Sequence, residues 1–240
     1  GTFTASDYTI TYATGTLTVS QATTSSSVSS SVNPSVAGQS VTFTATVTDS
    51  SSGSTGTPTG TVQFKVDGTN LGSAVTLSGG SATSTATTTL TAGNHVITAV
   101  YSSDSNFTTS TGTLSGGQDV QDFTLTETTS SGSVSQGSTL TETSLLSLTN
   151  QLGGFSGAVA LTCSDPTSGQ SFTCNGTTGS GHISFSPTSI SGIGTSTMTA
   201  QAASNTKTTQ HVITITGTFG SGTPSTGGLT HTVQFTITVN

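Results

Sequence analysis

The chain has 240 residues, a formal net charge of −7, no Trp and only two basic residues, Lys65 and Lys207. This composition excludes a basic surface of the kind that attracts nucleic acid or an anionic membrane. No apolar run approaches the roughly 20 residues of a membrane span. Ser and Thr are the commonest residues, and only 5% of residues are charged. Because disordered chains normally carry a high density of charge, we expect folded domains with uncharged polar surfaces.

Residues 1–22 predict a β-hairpin, because two short runs of alternating apolar residues flank a turn at residues 13–15. A lone two-stranded hairpin is marginally stable in water, so these strands need a partner sheet. Either the chain is a piece of a longer array, or the hairpin is donated to a neighbouring subunit as an added strand. The apolar residues that would make the assembly contacts are Tyr8, Ile10, Tyr12, Leu17 and Val19.

Residues 23–121 predict one β-sandwich. Small apolar residues alternate with Thr, Ser or Gln, which places the apolar side chains on one face of each strand, and Asp67-Gly68 predicts a tight turn. Strands at this spacing are typical of an immunoglobulin-like sandwich. The predicted strands are Ser25 to Val32, Ser40 to Thr48, Thr61 to Val66, Leu71 to Leu77, Ala82 to Leu90 and His95 to Tyr101.

Residues 122–240 repeat the same alternation and predict a second sandwich. Cys163 and Cys174 are the only cysteines and lie close together in a turn-rich segment, which favours a disulfide over a pair of buried thiols. The predicted strands are Phe123 to Thr126, Thr139 to Thr149, Ala158 to Cys163, Ile183 to Phe185, Thr195 to Ala202, His211 to Thr218 and Leu229 to Val239.

Three segments resemble known repeats of secreted bacterial proteins. Asn33 to Phe43, Pro58 to Phe64 and Leu90 to Phe107 resemble the bacterial Ig-like repeats of large secreted and surface proteins, with Ser103 where a Gly is expected. Gly153 to Cys163, with Phe185-Ser186-Pro187, is similar to another such repeat that often accompanies an enzyme. Tyr8 to Val19 resembles the closing hairpin of an MBG-type domain. These resemblances imply spacer, stalk or adhesive modules and bring no active site.

Candidate sites are few. The four histidines form no catalytic or zinc motif, and phosphate-binding glycine loops are absent from the sequence, so we expect no enzyme and no cofactor. Asp119 and Asp122 flank the predicted domain boundary and are the candidate ligands for calcium, although the few acidic residues of the chain favour two solvated linker residues instead. Asn106 and Asn175 begin formal glycan acceptor sequences.

The sequence therefore predicts an all-β, extracellular or cell-surface structural protein: tandem Ig-like sandwiches in a stalk, adhesin shaft or filament. The expected partners are copies of itself or neighbouring Ig-like domains, joined head to tail by strand addition. The alternatives are a module that binds surface glycans or an ordered surface such as ice through rows of Thr, and a non-catalytic appendage of a secreted enzyme.

Overall fold

The computed structural model of the chain describes residues 15–16, 18–167, 171–174 and 181–240. Most of the predicted N-terminal hairpin lies outside the described residues, including Tyr8, Ile10, Tyr12 and Leu17, and so does Asn175. Val19 is described, and its side chain is 86% exposed.

The first sandwich packs a three-stranded sheet, β1-β3-β7, against a five-stranded sheet in the order β10-β9-β4-β5, in which β6 also pairs with β4. Its strands are β1 (Thr24–Ser30), β2 (Ser35–Val36), β3 (Phe43–Asp49), β4 (Thr61–Val66), β5 (Thr69–Asn70), β6 (Val75–Thr76), β7 (Ser81–Thr83), β8 (Gly93–His95), β9 (Ile97–Tyr101) and β10 (Ser110–Thr113).

The second sandwich packs the sheet β15-β16-β18-β13-β11, which continues to β2, against the sheet β12-β20-β19-β14-β17. Its elements are β11 (Gln118–Glu127), β12 (Ser131–Val134), β13 (Thr139–Leu152), β14 (Ala158–Ser164), β15 (Thr173–Cys174), β16 (His182–Ser186), β17 (Ser189–Ser191), β18 (Gly194–Gln201), β19 (Gln210–Phe219), the short 3-10 turn η1 (Pro224–Thr226) and β20 (Leu229–Val239). Among the described residues, no helix has the length and apolarity needed to span a membrane.

Two separate apolar cores match the alternation in the sequence. In the first sandwich Phe43, Phe64 and Tyr101 are fully buried, and their neighbours along each strand face outwards. In the second, Phe235 and Ile237 occupy the equivalent inward positions of β20. A period of two therefore places each apolar side chain between the sheets, and the predicted all-β fold of tandem Ig-like sandwiches is confirmed.

Two predicted strands are shorter than expected. The segment Leu71 to Leu77 is broken by Gly72, whose φ of +65° ends the extended conformation. The segment Ala82 to Leu90 forms a continuous ladder only at β7, because the hydroxyl of Ser84 accepts the N–H of Phe43 at 3.0 Å in place of a main-chain carbonyl. Beyond Ser84 a single bridge joins Thr87 to Val41. Both interruptions come from local turn or hydroxyl chemistry that competes with the sheet.

Candidate functional site at the junction of the two sandwiches

A single strand belongs to both sandwiches. Residues 118–121 of β11 pair with β8 and β2 of the first sandwich, and residues 122–127 pair with β13 of the second. The boundary predicted between residues 121 and 122 thus falls at the point where β11 changes partner, without a flexible linker. A strand bonded on both sides of a junction restricts the rotation that a free linker would permit.

The turn that follows β2 fastens the first sandwich to the second. This inner turn, Val36–Gln39, is closed by a hydrogen bond from Gln39 N to Val36 O at 3.0 Å, and Ala37 N donates to Gln121 O at 2.9 Å. Val36 is only 5% exposed and belongs to the core cluster of the second sandwich. Gly38 has a φ of +78°, and a side chain there would press on Pro224. The inner turn is therefore an apolar projection seated on the second sandwich.

A buried amide supports the inner turn from below. Gln118 is fully buried, and its Nε2 donates to Val32 O at 3.0 Å and to Ser35 Oγ at 3.2 Å. Its Oε1 accepts a hydrogen bond from Ser30 Oγ at 2.6 Å. Because both the oxygen and the nitrogen of the Gln118 amide have hydrogen-bond partners, the cost of burying them is offset. These directional bonds fix the position of the strand that carries the inner turn.

The two carboxylates predicted as calcium ligands have separate protein partners. Asp119 accepts a hydrogen bond from Asn94 Nδ2, whereas Asp122 Oδ1 lies 2.8 Å from His231 Nε2 and accepts from Phe123 N. Among the described residues, His, Cys, Asp and Glu form no group of three or more that could hold a metal ion. Calcium binding by this pair stays a prediction.

A histidine–aspartate pair closes one end of the first sandwich. His95 Nδ1 lies 2.7 Å from Asp67 Oδ2, and His95 Nε2 lies 2.8 Å from the carbonyl of Thr91. The hydrogen bond from His95, with that from Val96 N, lowers the pKa of Asp67. Burial by itself lowers the pKa of His95, but the acceptors Asp67 and Thr91 outweigh it and the pKa is raised.

The second sandwich contains an equivalent pair with no solvent exposure. His211 Nδ1 lies 2.8 Å from Asp165 Oδ2, and His211 Nε2 lies 3.0 Å from the carbonyl of Lys207. Both side chains are 0% exposed, whereas Asp67 is 52% exposed. Burial raises the pKa of Asp165, but hydrogen bonds from Thr167, Phe172 and His211 together lower it.

The two pairs occupy the same place in the two sandwiches. Asp67 follows β4 and Asp165 follows β14. His95 lies two residues before β9, which pairs with β4, and His211 is the second residue of β19, which pairs with β14. In both pairs the second ring nitrogen faces the carbonyl four residues earlier. Because both nitrogens of each ring have a hydrogen-bond partner, neither His95 nor His211 presents a free nitrogen that could act as a base for a serine nucleophile.

Sequence reasoning missed these pairs because it weighed each histidine alone. The available signal was the tetrapeptide His-Val-Ile-Thr, which occurs at residues 95–98 and again at 211–214, each after a Gly-Xaa-Val strand that ends at an Asp. The resemblance did anticipate a left-handed residue at position 103, since Ser103 has a φ of +78°, which glycine adopts more readily.

The remaining predicted residues lie away from the junction. The structure contains a disulfide between Cys163 and Cys174, with Cα atoms 5.4 Å apart. Because β14 and β15 belong to different sheets, this bond fastens one sheet of the second sandwich to the other. Asn106 is exposed at the opposite end of the first sandwich, where its carbonyl accepts from Ala22 N.

The strand pairings define the class of molecule: two immunoglobulin-like β-sandwiches in tandem. Residues 28–116, which make up most of the first sandwich, match the family model of the bacterial Ig-like domain (group 3). A comparison with curated protein sequences found no match.

Solved structures with similar folds share little sequence with this chain. An I-band fragment of titin is 13% identical, with 88% of this chain and 65% of that one covered and a TM-score of 0.40. The three N-terminal domains of the highly immunogenic outer capsid protein of bacteriophage RB49 are 15% identical, with coverages of 90% and 59% and a TM-score of 0.41. A protein from Corynebacterium diphtheriae described as membrane anchored is 14% identical, with coverages of 89% and 58% and a TM-score of 0.32. In all three cases the chain spans less than two thirds of the matched molecule.

Proposed function

We propose that the chain is a non-enzymatic structural segment of an extracellular or cell-surface stalk, adhesin shaft or filament, in which the sandwiches act as stiff spacers. The observation that carries this proposal is the strand β11, which is bonded into both sandwiches on either side of residue 121. The seated inner turn adds apolar contact to those main-chain bonds. A spacer needs a junction of this kind because a flexible linker would let successive domains fold back on each other.

A location outside the cytoplasm agrees with two features of the chain. Its disulfide suits an oxidising compartment, and residues 28–116 match the model of a bacterial Ig-like domain family. The near absence of basic residues also leaves a surface that does not attract nucleic acid.

The stiffness of the junction can be measured by single-molecule energy transfer. Cysteines replacing the exposed residues Thr48 and Thr162 would carry one dye on each sandwich, and the native disulfide would remain oxidised during maleimide labelling. We expect a single narrow distance distribution, which widens when Gly-Ser-Gly-Ser is inserted after Gln121. A distribution that is already broad in the parent chain and unchanged by the insertion would contradict the spacer role.

One observation favours a surface-binding module as a second candidate. The outer face of the sheet β12-β20-β19-β14-β17 presents rows of hydroxyls in register, such as Thr162, Thr216 and Thr232, and the strand residues on that face are uncharged. Such a face could contact a flat hydroxylated surface, a polysaccharide or ice. Binding to insoluble polysaccharide or shaping of ice crystals, abolished by a Thr216→Lys change in the middle of the face, would support it.

A further inference from the structure

The inner turn is held by three elements of the second sandwich, which we call the inner socket. These are the part of β11 that precedes its pairing with β13, at Gln121, the turn after β13 at Gly153–Gly154, and the loop between β19 and β20 that contains Pro224. Gln121 joins two of them, since its Nε2 donates to Gly154 O at 3.5 Å. The socket is apolar where it meets Val36 and Ala37, which pack against the core of the second sandwich.

The second sandwich carries an equivalent of the inner turn at its far end. This outer turn, Ser135–Ser138, is closed by a hydrogen bond from Ser138 N to Ser135 O at 3.0 Å, and Gln136 N donates to Asn240 O at 3.1 Å. Gly137 has a φ of +75°, close to the +78° of Gly38. The strand before it, β12, pairs in parallel with β20 as β2 pairs with β11. All four residues of the outer turn are exposed.

The first sandwich has an equivalent of the inner socket at its own far end. A cleft of about 480 Å³ is lined there by the lead-in residues Val19–Ala22, by the loop after β3 at Ser51–Ser54, and by the loop between β9 and β10 at Ser105–Asn106. These are the same three structural elements that hold the inner turn. We call this cleft the outer socket.

Hydrogen bonds hold the three sides of the outer socket together. Thr23 N donates to Ser51 Oγ at 2.6 Å, and Gln21 Nε2 donates to Asp104 O at 2.7 Å. The Asp104 carboxylate accepts hydrogen bonds from Thr59 in the loop after β3 and from the N–H of Asn106. Those bonds, that of the Thr59 hydroxyl first, hold the pKa of Asp104 well below its usual value. The socket is therefore formed before any partner arrives, which lowers the ordering cost of binding.

We propose that the outer turn of one copy of this chain seats in the outer socket of a second copy, which reproduces the geometry of the inner junction between molecules. This inference rests on the proposed structural function and names the surface through which copies would join. The side chains match in each junction: Val36 and Ala37 meet an apolar socket, whereas Ser135 and Gln136 would meet a mainly polar one, in which Ser, Gln and Asn side chains outnumber the apolar Val19 and Ala22. A polar turn in a polar socket leaves few buried polar groups unpaired. The polar outer turn in an apolar socket, or the apolar inner turn in a polar socket, would bury polar groups without partners. Asn106 lines the outer socket, so a glycan on it and a seated turn exclude each other.

Directed crosslinking between two single-cysteine variants tests this contact. Ser135→Cys and Ser52→Cys are isosteric changes at exposed residues, one on the outer turn and one in the outer socket, and neither side chain makes a hydrogen bond among those described. The two variants are mixed at high concentration with a short bis-maleimide, which leaves the native disulfide intact. The matched control mixes Ser135→Cys with Ser27→Cys, an exposed position on the outer face of β1 in the same sandwich as the socket.

We expect about tenfold more mixed dimer from the turn–socket pair than from the control pair, which corresponds to about 1.4 kcal/mol of preference. Equal yields from the two mixtures would overturn the proposal. So would a high yield from the turn–socket pair that survives a Gly53→Pro change in the socket loop together with a Gly137→Val change in the turn. The energy-transfer experiment on a single chain is independent of this result, so a stiff junction with no preferential crosslink would remove only the inferred contact between copies.

Discussion

The buried histidine–aspartate pair of the second sandwich makes the sharpest prediction about stability. Asp165 accepts three hydrogen bonds, from Thr167 N, Phe172 N and His211 Nδ1, at 2.8 to 2.9 Å. An asparagine has only one acceptor oxygen, so Asp165→Asn leaves at least one buried donor facing an NH2 group, at a cost of about 1–3 kcal/mol. The change also removes the carboxylate that faces the buried His211 ring. Removing one partner of a buried pair typically costs about 3–5 kcal/mol in total.

The equivalent pair of the first sandwich supplies the matched control. Asp67 is 52% exposed and its histidine 13% exposed, so water replaces much of what Asp67→Asn removes. Exposed pairs of this kind contribute about 0–1 kcal/mol. We therefore expect Asp165→Asn to lower the free energy of unfolding by at least 2 kcal/mol more than Asp67→Asn does, from the same chemical change at equivalent positions.

Guanidinium unfolding of each variant measures the stability of the two sandwiches with separate signals. Tyr101 is fully buried in the core of the first sandwich, and residues 118–240 contain no tyrosine. A change in tyrosine fluorescence on unfolding therefore follows Tyr101 in the first sandwich, whereas far-ultraviolet circular dichroism reports on both sandwiches. Asp165→Asn should move the dichroism transition and spare the fluorescence transition. The double variant Asp165→Asn, His211→Phe should recover part of the loss, because it removes the unpaired ring. Equal losses for Asp165→Asn and Asp67→Asn would refute the reasoning. So would a double variant whose loss equals the sum of the losses of Asp165→Asn and of His211→Phe, each measured alone.

Three further predictions concern pH, the disulfide and the junction. Because the pKa of His95 is raised, its stabilisation is complete below about pH 6.5 and is lost as the pH rises through the folded-state pKa. Because the pKa of Asp67 is lowered, its stabilisation is complete above about pH 3.8 and is lost on further acidification. The midpoint of the fluorescence transition should therefore be highest between these limits, and a His95→Gln variant should lack the fall at alkaline pH. Reduction of the disulfide, which spans 11 residues, should lower the dichroism midpoint by the equivalent of about 2–3 kcal/mol and leave tyrosine fluorescence unchanged, which a parallel Cys163→Ser variant checks. Val36→Ala should lower the free energy of unfolding by about 1.5–2 kcal/mol. Although Val36 belongs to the first sandwich, the change should raise amide hydrogen exchange in the second sandwich. Exchange that rises only in the first sandwich would show that the inner turn does not couple the two.

The sequence predicted the layers of the fold better than its connections. Alternation along β3 and β20 is a local property, since each side chain's neighbour two residues away already reveals the buried face. The junction is not local: the pairing of β11 with β2 joins residues 35–36 to 120–121, and a run from Gln118 to Glu127 gives no sign of the residue at which it changes partner. For this reason the repeated pattern indicates two sandwiches, but it does not reveal the strand that they share.

The candidate sites show the same division. Two cysteines in one turn-rich segment suffice to predict a disulfide, because chemistry restricts their partners. A histidine has many possible partners, and neither the Asp67–His95 nor the Asp165–His211 contact follows from separation along the chain. What would have identified them is comparison of the two halves with each other, which aligns the repeated His-Val-Ile-Thr and places an Asp at the end of the preceding central strand.

The position of these pairs connects stability to the proposed mechanical role. Each pair closes the end of the ladder between the two central strands of a sheet, where the last main-chain bonds would otherwise fray. In the first sandwich His95 also lies in β8, which pairs with Gln118 at the start of the shared strand. Force passing from one sandwich to the next along β11 enters the first sheet at that edge. The Asp67–His95 contact, which holds β4 to β8, therefore reinforces the edge at which a spacer under force would open first. The Asp165–His211 contact reinforces in the same way the end of the second sandwich that carries the outer turn.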